Sequence, residues 1–312
     1  MNTIHHTDCI LGLPELSEKI HLTVTSPPYF NAKEYVYYKT YEEYLETLKR
    51  VFQLVYDKTV DGRMCCVNVS NILITRESRS HESKRIPLAF HIVPLMESIG
   101  WKFIEDIVWV KPEGASKNRN GGFYQHRQPL AYKPNVVNEY IFVFQKPCTT
   151  LIDAIVRSYD AYTAEASKVG EYDRSNVWSI QPETRSKHPA PYPELLVDKL
   201  VRYYSYVGDT VLDPFMGSGT TAVSAKRLNR QYIGYEIHAE YIEMANERLN
   251  KAVAETLPPP ISMPSAETVE DFTTILNGKT RRFLATLDTT FKSTTSKKTM
   301  IQRLCERWVA SH

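Results

Sequence analysis

Short apolar runs alternate along this chain with longer amphipathic stretches, and this alternation is the feature that most restricts the fold. Six runs are predicted to be strands, at 21–25, 64–69, 103–110, 140–145, 210–212 and 231–235. Four stretches with apolar residues at helical spacing are predicted to be helices, at 41–55, 87–99, 193–204 and 238–253. Alternating strands and helices favour a largely parallel sheet with helices on its faces. The runs at 103–110 and 140–145 have no helix between them, which predicts an antiparallel hairpin at one sheet edge.

The composition limits the classes of function. The chain has 312 residues, 42% of them hydrophobic, and a formal net charge of +2. A DNA partner would therefore be met by local basic patches and not by overall charge. The five cysteines form no CxxC pair and the histidines lack metal-ligand spacing, so no metal site is predicted. With neither a signal-peptide layout nor an apolar run long enough for a membrane span, we expect a cytoplasmic protein without membrane contact.

A rigid proline turn follows the first predicted strand. The segment Thr25-Ser26-Pro27-Pro28-Tyr29 offers a hydroxyl and proline carbonyls, but no proline N–H donors, beside an aromatic face. Such a pocket suits an exocyclic amine, because hydrogen bonds from both of its N–H groups would favour a more tetrahedral nitrogen and free the lone pair. Tyr29 would stack on a base turned out of the double helix. Taken alone, the turn is equally typical of a strand exit without chemistry.

A glycine turn joins a later strand to a helix at residues 213–221, DPFMGSGTT. Gly217 and Gly219 would let a ligand approach the backbone closely, and Thr220 and Thr221 are predicted to cap the helix. The turn lacks the Gly-Lys-Ser/Thr of a P-loop and does not match the G-x-G-x-x-G dinucleotide pattern.

Two carboxylates stand at the ends of neighbouring predicted strands. Asp213 begins the glycine turn and is placed to pair with the cationic amine of an amino-acid moiety. Glu236 ends the next strand, where doubly wound nucleotide sites place the acceptor of both ribose hydroxyls. The alternative is an ordinary βα turn with an unrelated acidic residue after it.

Together these segments resemble the amino-methyltransferases of DNA, in which [D/N/S]PP[Y/F/W] and FxGxG motifs recur. SPPY precedes FMGSG here, which is the order of the permuted beta group. The segments HTDC, WVKP and EYIFVF extend the resemblance over residues 1–250. The resemblance implies an α/β, Rossmann-like methyltransferase fold with a seven-stranded, mostly parallel sheet flanked by helices. It also implies S-adenosylmethionine as the cofactor.

Carried over residue by residue, the resemblance implies two sets of site residues. The catalytic loop that binds the amine consists of Ser26, Pro27, Pro28 and Tyr29. The cofactor set consists of Asp8, Asp213, Pro214, Phe215, Gly217, Ser218, Gly219, Thr220 and Glu236. Within the second set, Asp8 is expected beside the adenine and Glu236 at the ribose.

The leading serine of SPPY favours N4 of cytosine as the methylated atom, because Asp or Asn more often accompanies N6 of adenine in this family. Adenine stays open, since both amines present similar geometry. C5-cytosine methylation would need a cysteine nucleophile, and Cys148 in the only Pro-Cys dipeptide lacks the right context. A methyltransferase acting on RNA or on a protein amide, and a DNA-binding module without catalysis, are the alternatives from other classes.

Polar segments between the two motifs are the candidates for reading duplex DNA. Target recognition is expected within residues 111–187, chiefly in Lys111–Asn135 and Thr149–Lys187. The basic and polar side chains expected to touch DNA are Lys117, Arg119, His126, Arg127, Arg79 and Arg85. For each of them a solvated loop position is at least as good an interpretation.

The domain organisation follows from these assignments. Residues 1–256 are expected to form the methyltransferase domain, with a catalytic half at 1–148 and a cofactor half at 188–256. Residues 257–312 are expected to be a proline-rich linker and a basic appendage. No nuclease site is recognisable, so a cognate restriction endonuclease would be a separate protein. A homodimer is a further expectation, because members of this group are often dimeric.

Overall fold

The apolar runs form the inner strands of one large sheet. The computed structural model describes residues 2–30, 38–74, 84–112, 129–130, 134, 136–183, 192–258, 269–279, 281, 284, 287–288 and 295–311. Its strands are β1 (Thr3–His6), β2 (Ile20–Thr25), β3 (Thr59–Val69), β4 (Ile72–Ile74), β5 (Lys84–Ile86), β6 (Lys102–Val110), β7 (Asn138–Gln145), β8 (Val177–Ser179), β9 (Thr210–Asp213) and β10 (Gln231–Glu236). All four residues of β9 are buried, as expected for a strand covered on both faces.

Ten helices lie within the described residues. They are α1 (Cys9–Glu15), α2 (Tyr41–Lys58), α3 (Leu88–Ile99), α4 (Ile152–Val156), α5 (Ala161–Ala166), α6 (Glu194–Tyr204), α7 (Thr220–Arg227), α8 (Ala239–Lys251), α9 (Val269–Asn277) and α10 (Lys297–Ser311). The amphipathic pattern of α2 begins at the cap Thr40, whose side chain accepts a hydrogen bond from the Glu43 N–H. All four helices predicted from periodicity are present, within a few residues of their predicted bounds.

Eight strands form the sheet, in the order β1-β10-β9-β2-β3-β7-β6-β8. Within this sheet β7 pairs antiparallel with both β3 and β6, and each other neighbouring pair is parallel. The carboxyl ends of β1, β10, β9, β2 and β3 therefore lie on the same side as the start of β7. The strands β4 and β5 form a separate antiparallel pair.

The predicted α/β class and the antiparallel pairing of β6 with β7 are confirmed. The expected count of seven strands is wrong, because the described sheet contains eight. The edge strands β1 and β8 have four and three residues and carry few apolar side chains. Such short edge strands leave almost no hydrophobic signal in a sequence.

Helices pack on both faces of the sheet. One core joins α1, α2 and α3 to the sheet through residues such as Leu13, Leu48 and Ile92, each fully buried. The other joins α6 and α7 to the opposite face through residues such as Leu200 and Ala225. Burial on both faces fixes the register of the inner strands, and with it the positions of the loops at their ends.

The chain divides into two compact units. Residues 1–147 and 171–254 form the sheet unit, and residues 148–170 and 255–312 form the second unit. The segment 148–170 thus belongs with the C-terminal residues, although the sequence grouped it with the target-recognition segments. In the second unit, α9 and α10 share a core that includes Leu276, Leu304 and Trp308.

Candidate active site

Loops from four strand ends surround a cavity of about 250 Å³ in the sheet unit. They follow β1, β2, β9 and β10, which are neighbours on one side of the sheet. Nine of the predicted site residues line the cavity: Asp8, Ser26, Pro27, Pro28, Tyr29, Pro214, Phe215, Gly217 and Glu236. The fold thus brings together two motifs that are almost two hundred residues apart in sequence.

Four residues of the predicted cofactor set do not line the cavity. These are Asp213, Ser218, Gly219 and Thr220, all buried or part of the turn behind it. Their predicted role as direct ligand contacts stays a prediction. The described contacts make them supports of the loop.

Asp213 is a buried hub with 1% exposure. Its Oδ1 accepts hydrogen bonds from Thr25 Oγ1 at 2.7 Å and from the Phe215 N–H at 3.1 Å. Its Oδ2 accepts from Thr221 Oγ1 at 2.8 Å and from the Tyr192 hydroxyl at 3.1 Å. Burial raises the pKa of this carboxyl, and the hydrogen bonds oppose that rise. The carboxylate therefore ties β2, β9 and α7 together and does not face a ligand.

The two glycines of the turn serve different purposes. Gly217 lines the cavity, and its φ of +51° favours glycine. Gly219 has a φ of +80°, and a Cβ there would lie 2.7 Å from the Cβ of Ala245 on α8. Gly219 thus allows α7 and α8 to approach each other closely.

The predicted threonine caps of α7 are wrong. The N-cap of α7 is Gly219, and no side chain caps the helix there. Thr220 instead accepts a hydrogen bond from Arg248, and Thr221 Oγ1 donates to Asp213 at 2.8 Å and lies 3.2 Å from the Val24 carbonyl. Both threonines are buried, and their hydroxyls face tertiary partners that local spacing does not reveal.

Arg248 on α8 donates hydrogen bonds to two residues of the glycine turn, Ser218 and Thr220. Its Nη1 donates to the Ser218 carbonyl at 2.7 Å, to Ser218 Oγ at 3.1 Å and to Thr220 Oγ1 at 3.1 Å. Its Nη2 donates to Glu194 on α6 at 2.8 Å. Sequence reasoning missed this residue, because an arginine on an amphipathic helix looks like any solvated charge.

The carboxylates at the cavity wall are held by backbone N–H groups. Glu236 Oε2 accepts from the Gly217 N–H at 2.8 Å, and its Oε1 accepts from the Ile237 and His238 N–H groups at 2.9 Å each. Asp8 is the N-cap of α1 and accepts from the Ile10 N–H at 2.8 Å. Glu236 Oε2 and the Asp8 carboxylate retain acceptor capacity, so both groups can receive a hydroxyl or amine donor from a ligand.

The remaining cavity wall is apolar. Ile10, Val51, Tyr38 and Tyr235 line it beside the carboxylates. Cys9 lies there too, and burial together with the neighbouring Asp8 charge raises the pKa of its thiol. This wall suits a flat ring system, and the Cys9 thiol is neutral at ordinary pH.

The proline turn meets a polar cluster at the ends of β3, β6 and β7. Asn68 Nδ2 donates to Ser26 Oγ at 3.3 Å and to Glu139 Oε2 at 2.7 Å. The Tyr29 hydroxyl donates to the same oxygen at 3.5 Å, and Lys111 Nζ donates to Glu139 Oε1. Burial and the Glu139 charge raise the pKa of Tyr29 well above its ordinary range, so its hydroxyl stays protonated. The sequence analysis had placed Lys111 at the start of a target-recognition segment and Glu139 in the strand EYIFVF, and had given neither a role at the proline turn.

Most of the predicted DNA contacts lie outside the described residues: Arg79, Lys117, Arg119, His126 and Arg127. Arg85 is described. It is exposed on β5 and donates to the Pro134 carbonyl at 2.6 Å. The hairpin of β4 and β5 follows β3, so Arg85 comes from the same side of the sheet as the catalytic loop.

Three other expectations concerned Cys148, a metal site and a membrane span. Cys148 belongs to the second unit, donates to the Thr150 carbonyl and does not line the cavity. Among the residues that the structure describes, no group of three or more His, Cys, Asp or Glu side chains could hold a metal ion. The same residues include no helix that is long and apolar enough to cross a membrane.

The sequence profile of the N6/N4 DNA methylase family matches residues 20–247, which include both motifs and most of the sheet unit. The chain belongs to this DNA methylase family. As a member of this family, the methylase uses S-adenosylmethionine as its methyl donor.

Relatives of this methylase cover much of its length. M.MjaI, a type II methyltransferase of Methanocaldococcus jannaschii, is 31% identical over 272 residues, which cover 74% of this chain and 86% of that protein. M.BamHII, an orphan methyltransferase of Bacillus amyloliquefaciens, is 30% identical over 75% of this chain and 90% of that protein. The type II beta methyltransferase M.BslI of Bacillus sp. (strain NEB-606) is 27% identical, and the match spans 25% of its length.

A solved structure supports the fold. TTHA0409 of Thermus thermophilus, crystallised with S-adenosyl-L-methionine, has 28% sequence identity and a TM-score of 0.64. The alignment covers 82% of this chain and 98% of TTHA0409. The predicted fold class of a Rossmann-like methyltransferase is therefore confirmed.

The cavity residues of this methylase fit S-adenosylmethionine. The Glu236 carboxylate can accept from ribose hydroxyls, and the apolar wall of Ile10 and Tyr235 can receive the adenine. The Gly217 backbone leaves room for a ligand at the turn, because glycine has no side chain. Asp8, at the N-cap of α1, offers an acceptor on the same wall.

Proposed function

We propose that this methylase transfers a methyl group to the exocyclic N4 amine of cytosine at a specific site in duplex DNA. The observation that carries the proposal is the position of Ser26. It begins the proline turn, lines the cavity that also contains Glu236 and Gly217, and stands where a family member specific for adenine more often has Asp or Asn. N6 of adenine is the second candidate, because the family profile covers both amines.

The proline turn prepares the amine for attack. Ser26 Oγ and the Pro27 carbonyl accept its two N–H groups, and neither proline offers an N–H donor that would compete for the nitrogen lone pair. When bound, S-adenosylmethionine supplies a methyl group on a positively charged sulfur, which leaves with the electron pair of the broken C–S bond. As the new N–C bond forms, the amine loses one proton to water. Tyr29, held by its hydrogen bond to Glu139, stacks on the base.

A base within a duplex cannot reach a cavity of this kind, so the target cytosine is turned out of the helix. Arg85 on β5 is proposed to contact a phosphate beside the flipped nucleotide, which its exposure and its position on the hairpin after β3 support. The residues Lys117, Arg119, His126, Arg127 and Arg79 are proposed as further DNA contacts, within the target-recognition segments 111–187. The C-terminal segment Lys279–Arg307, with eight basic and two acidic residues, is proposed to add electrostatic affinity without reading sequence.

The biological setting we propose is a restriction–modification system, with a separate endonuclease that cuts the same unmodified site. M.MjaI is a type II methyltransferase, which supports this setting, whereas M.BamHII is an orphan. DNA modified by this methylase should resist one endonuclease of matching specificity. A homodimer in the cytoplasm is the proposed state, and sedimentation of the purified protein would test the oligomer.

The proposal is tested by identifying the product. The purified protein is incubated with S-adenosylmethionine and unmethylated genomic DNA, and the digested nucleosides are analysed by mass spectrometry. We expect N4-methylcytosine with the wild type and with Ser98→Ala, which changes a serine at the end of α3, but not with Ser26→Ala. Detection of N6-methyladenine instead would show that adenine, and not cytosine, is the methylated base. Methylation of RNA or protein alone, or cofactor binding without any product, would overturn the proposal.

A further inference from the structure

In the hydrogen-bond cluster behind the proline turn, the Glu139 carboxylate determines which groups donate and which accept. Its carboxylate receives Asn68 Nδ2 at 2.7 Å, the Tyr29 hydroxyl at 3.5 Å and the ammonium group of Lys111. An ionised carboxylate can only accept. Each of its three partners must therefore donate.

Glu139 thereby determines which way the Asn68 amide points. The two ends of an amide differ only in that one donates and the other accepts. A reversed amide would place Oδ1 against the Glu139 carboxylate, and two acceptors repel. The described residues give Asn68 Oδ1 no hydrogen-bond partner, although Asn68 is only 4% exposed. The two bonds from Nδ2 to Glu139 and Ser26 therefore fix the orientation of the amide.

The amide orientation in turn sets the polarity of Ser26. Asn68 Nδ2 has two protons, and one of them is directed at Ser26 Oγ at 3.3 Å. A serine hydroxyl has two lone pairs and one proton. Since one lone pair receives Asn68, Ser26 retains one acceptor and one donor, and it lines the cavity.

We infer that Glu139 and Asn68 are positioning residues that orient the Ser26 hydroxyl toward a substrate edge with an amine beside an unprotonated ring nitrogen. The remaining lone pair of Ser26 accepts an amine N–H, and its proton is donated to the ring nitrogen. Cytosine N4 with N3, or adenine N6 with N1, presents this pair. The inference deepens the proposed function and rests on it.

The ion pair between Lys111 and Glu139 fixes the position of the Glu139 carboxylate. Lys111 lies with Nζ 4.6 Å from the centre of the Trp109 ring and pairs with Glu139, whose side chain is 13% exposed. Lys111 is on the segment that follows β6, and Glu139 is on the adjacent β7. The ion pair with Lys111 therefore holds the Glu139 side chain in place beside the aromatic residues.

The test combines a protein change with a substrate change. Asn68→Asp replaces the donor by an acceptor at constant shape, so Ser26 should turn its proton toward residue 68 and away from the substrate. Glu139→Gln weakens the same constraint, and Glu105→Gln, an exposed carboxylate on β6, is the matched control. Each protein is assayed on a duplex carrying the methylated site and on one with 3-deazacytosine at the target, where a C–H replaces the ring nitrogen (1-deazaadenine if the product is N6-methyladenine).

We expect the wild type and Glu105→Gln to lose about 10-fold or more in kcat/KM on the deaza duplex, because one hydrogen bond is missing. Asn68→Asp should lose about 10- to 100-fold on the normal duplex, mainly in kcat, and almost nothing further on the deaza duplex. Glu139→Gln should lie between them. Cofactor Kd and thermal unfolding should stay near wild type for Glu139→Gln, which covers the case that Asn68→Asp does not fold.

Two results would overturn the inference while leaving the proposed function intact. One is that the loss in kcat/KM from Asn68→Asp and the loss from the deaza duplex multiply, so that the variant loses as much on the deaza duplex as the wild type does. The other is that the wild type accepts the deaza duplex as well as the normal one. If the wild type methylates no DNA at all, the proposed function fails, and the inference fails with it. Product formation by the wild type therefore distinguishes the two failures.

Discussion

The hydroxyl of Thr25 donates a 2.7 Å hydrogen bond to Asp213 Oδ1, and both residues are buried. Thr25 is the last residue of β2, directly before the catalytic loop. Asp213 is the last residue of β9, directly before the glycine turn. This single contact joins the two halves of the active site across 188 residues of sequence. The relative position of the proline turn and the glycine turn therefore depends on the pairing of β2 with β9.

Thr25→Val should destabilise the protein by about 1–3 kcal/mol, because it keeps the shape of the side chain but removes a donor from a buried carboxylate. Urea unfolding would measure the change. Thr23→Val on the same strand is the control, because the buried Thr23 hydroxyl has no partner among the described residues. That variant should be neutral or slightly stabilising. Equal losses for both variants would show that the Thr25 contact contributes nothing specific.

The effect of Thr25→Val should also depend on pH. Burial raises the pKa of Asp213 in the folded protein above its ordinary value, so folding favours the protonated carboxyl. Stability from this group is fully present below the ordinary pKa and falls as pH rises through the raised folded value. The Thr25 bond lowers that pKa, so its loss should be felt more at about pH 7 than at about pH 4. A penalty independent of pH would argue against an ionised Asp213 at neutral pH.

The sequence predicted those parts of this site whose signal is local. Burial makes the inner strands apolar, and the proline and glycine turns restrict their own backbone, so Ser26 and Gly217 could be placed at strand ends beforehand. Thr25, Asn68, Glu139 and Arg248 could not be assigned roles, because their partners are set by strand order and register. The direction of β7 shows the reason: Glu139 reaches the site only because an antiparallel strand begins where its neighbours end.

Packing gives some of the predicted contact residues a structural role that the motif alone does not reveal. Asp213 looked like a ligand for a cationic amine, but its oxygens are taken by four protein donors. Gly219 was predicted to leave space for a ligand, but Ala245 of α8 packs against the position where a Cβ would be. A motif specifies which residue types a loop needs, whereas packing decides which of them face the cavity.

Arg248→Lys should weaken cofactor binding more than it weakens folding. A lysine cannot reproduce the three bonds from Nη1 to Ser218 and Thr220 together with the bond to Glu194. The glycine turn should loosen, and the Kd for S-adenosylmethionine, measured by calorimetry, should rise by about 10-fold. Arg227→Lys is the control, because Arg227 pairs with Glu194 and Asp198 but does not touch the turn. A similar rise in Kd for both variants would assign the effect to the shared ion pairs.

Gly219→Ala should be far more damaging than Gly208→Ala, although both glycines have a left-handed φ. The φ values are +80° for Gly219 and +84° for Gly208, so the backbone penalty of about 1–2 kcal/mol is common to both. A Cβ at Gly208 meets nothing within 4 Å, whereas a Cβ at Gly219 would lie 2.7 Å from the Ala245 Cβ and 3.2 Å from its Cα. Relief of that overlap requires α8 to move away from α7, and Arg248 on α8 would carry the glycine turn with it. Gly219→Ala should therefore lose cofactor binding in calorimetry as well as stability in urea, while Gly208→Ala should lose stability alone. The double variant Gly219→Ala with Ala245→Gly removes the opposing Cβ and should recover part of the binding; no recovery would mean that the left-handed backbone alone, and not the contact between α7 and α8, makes glycine necessary at this position.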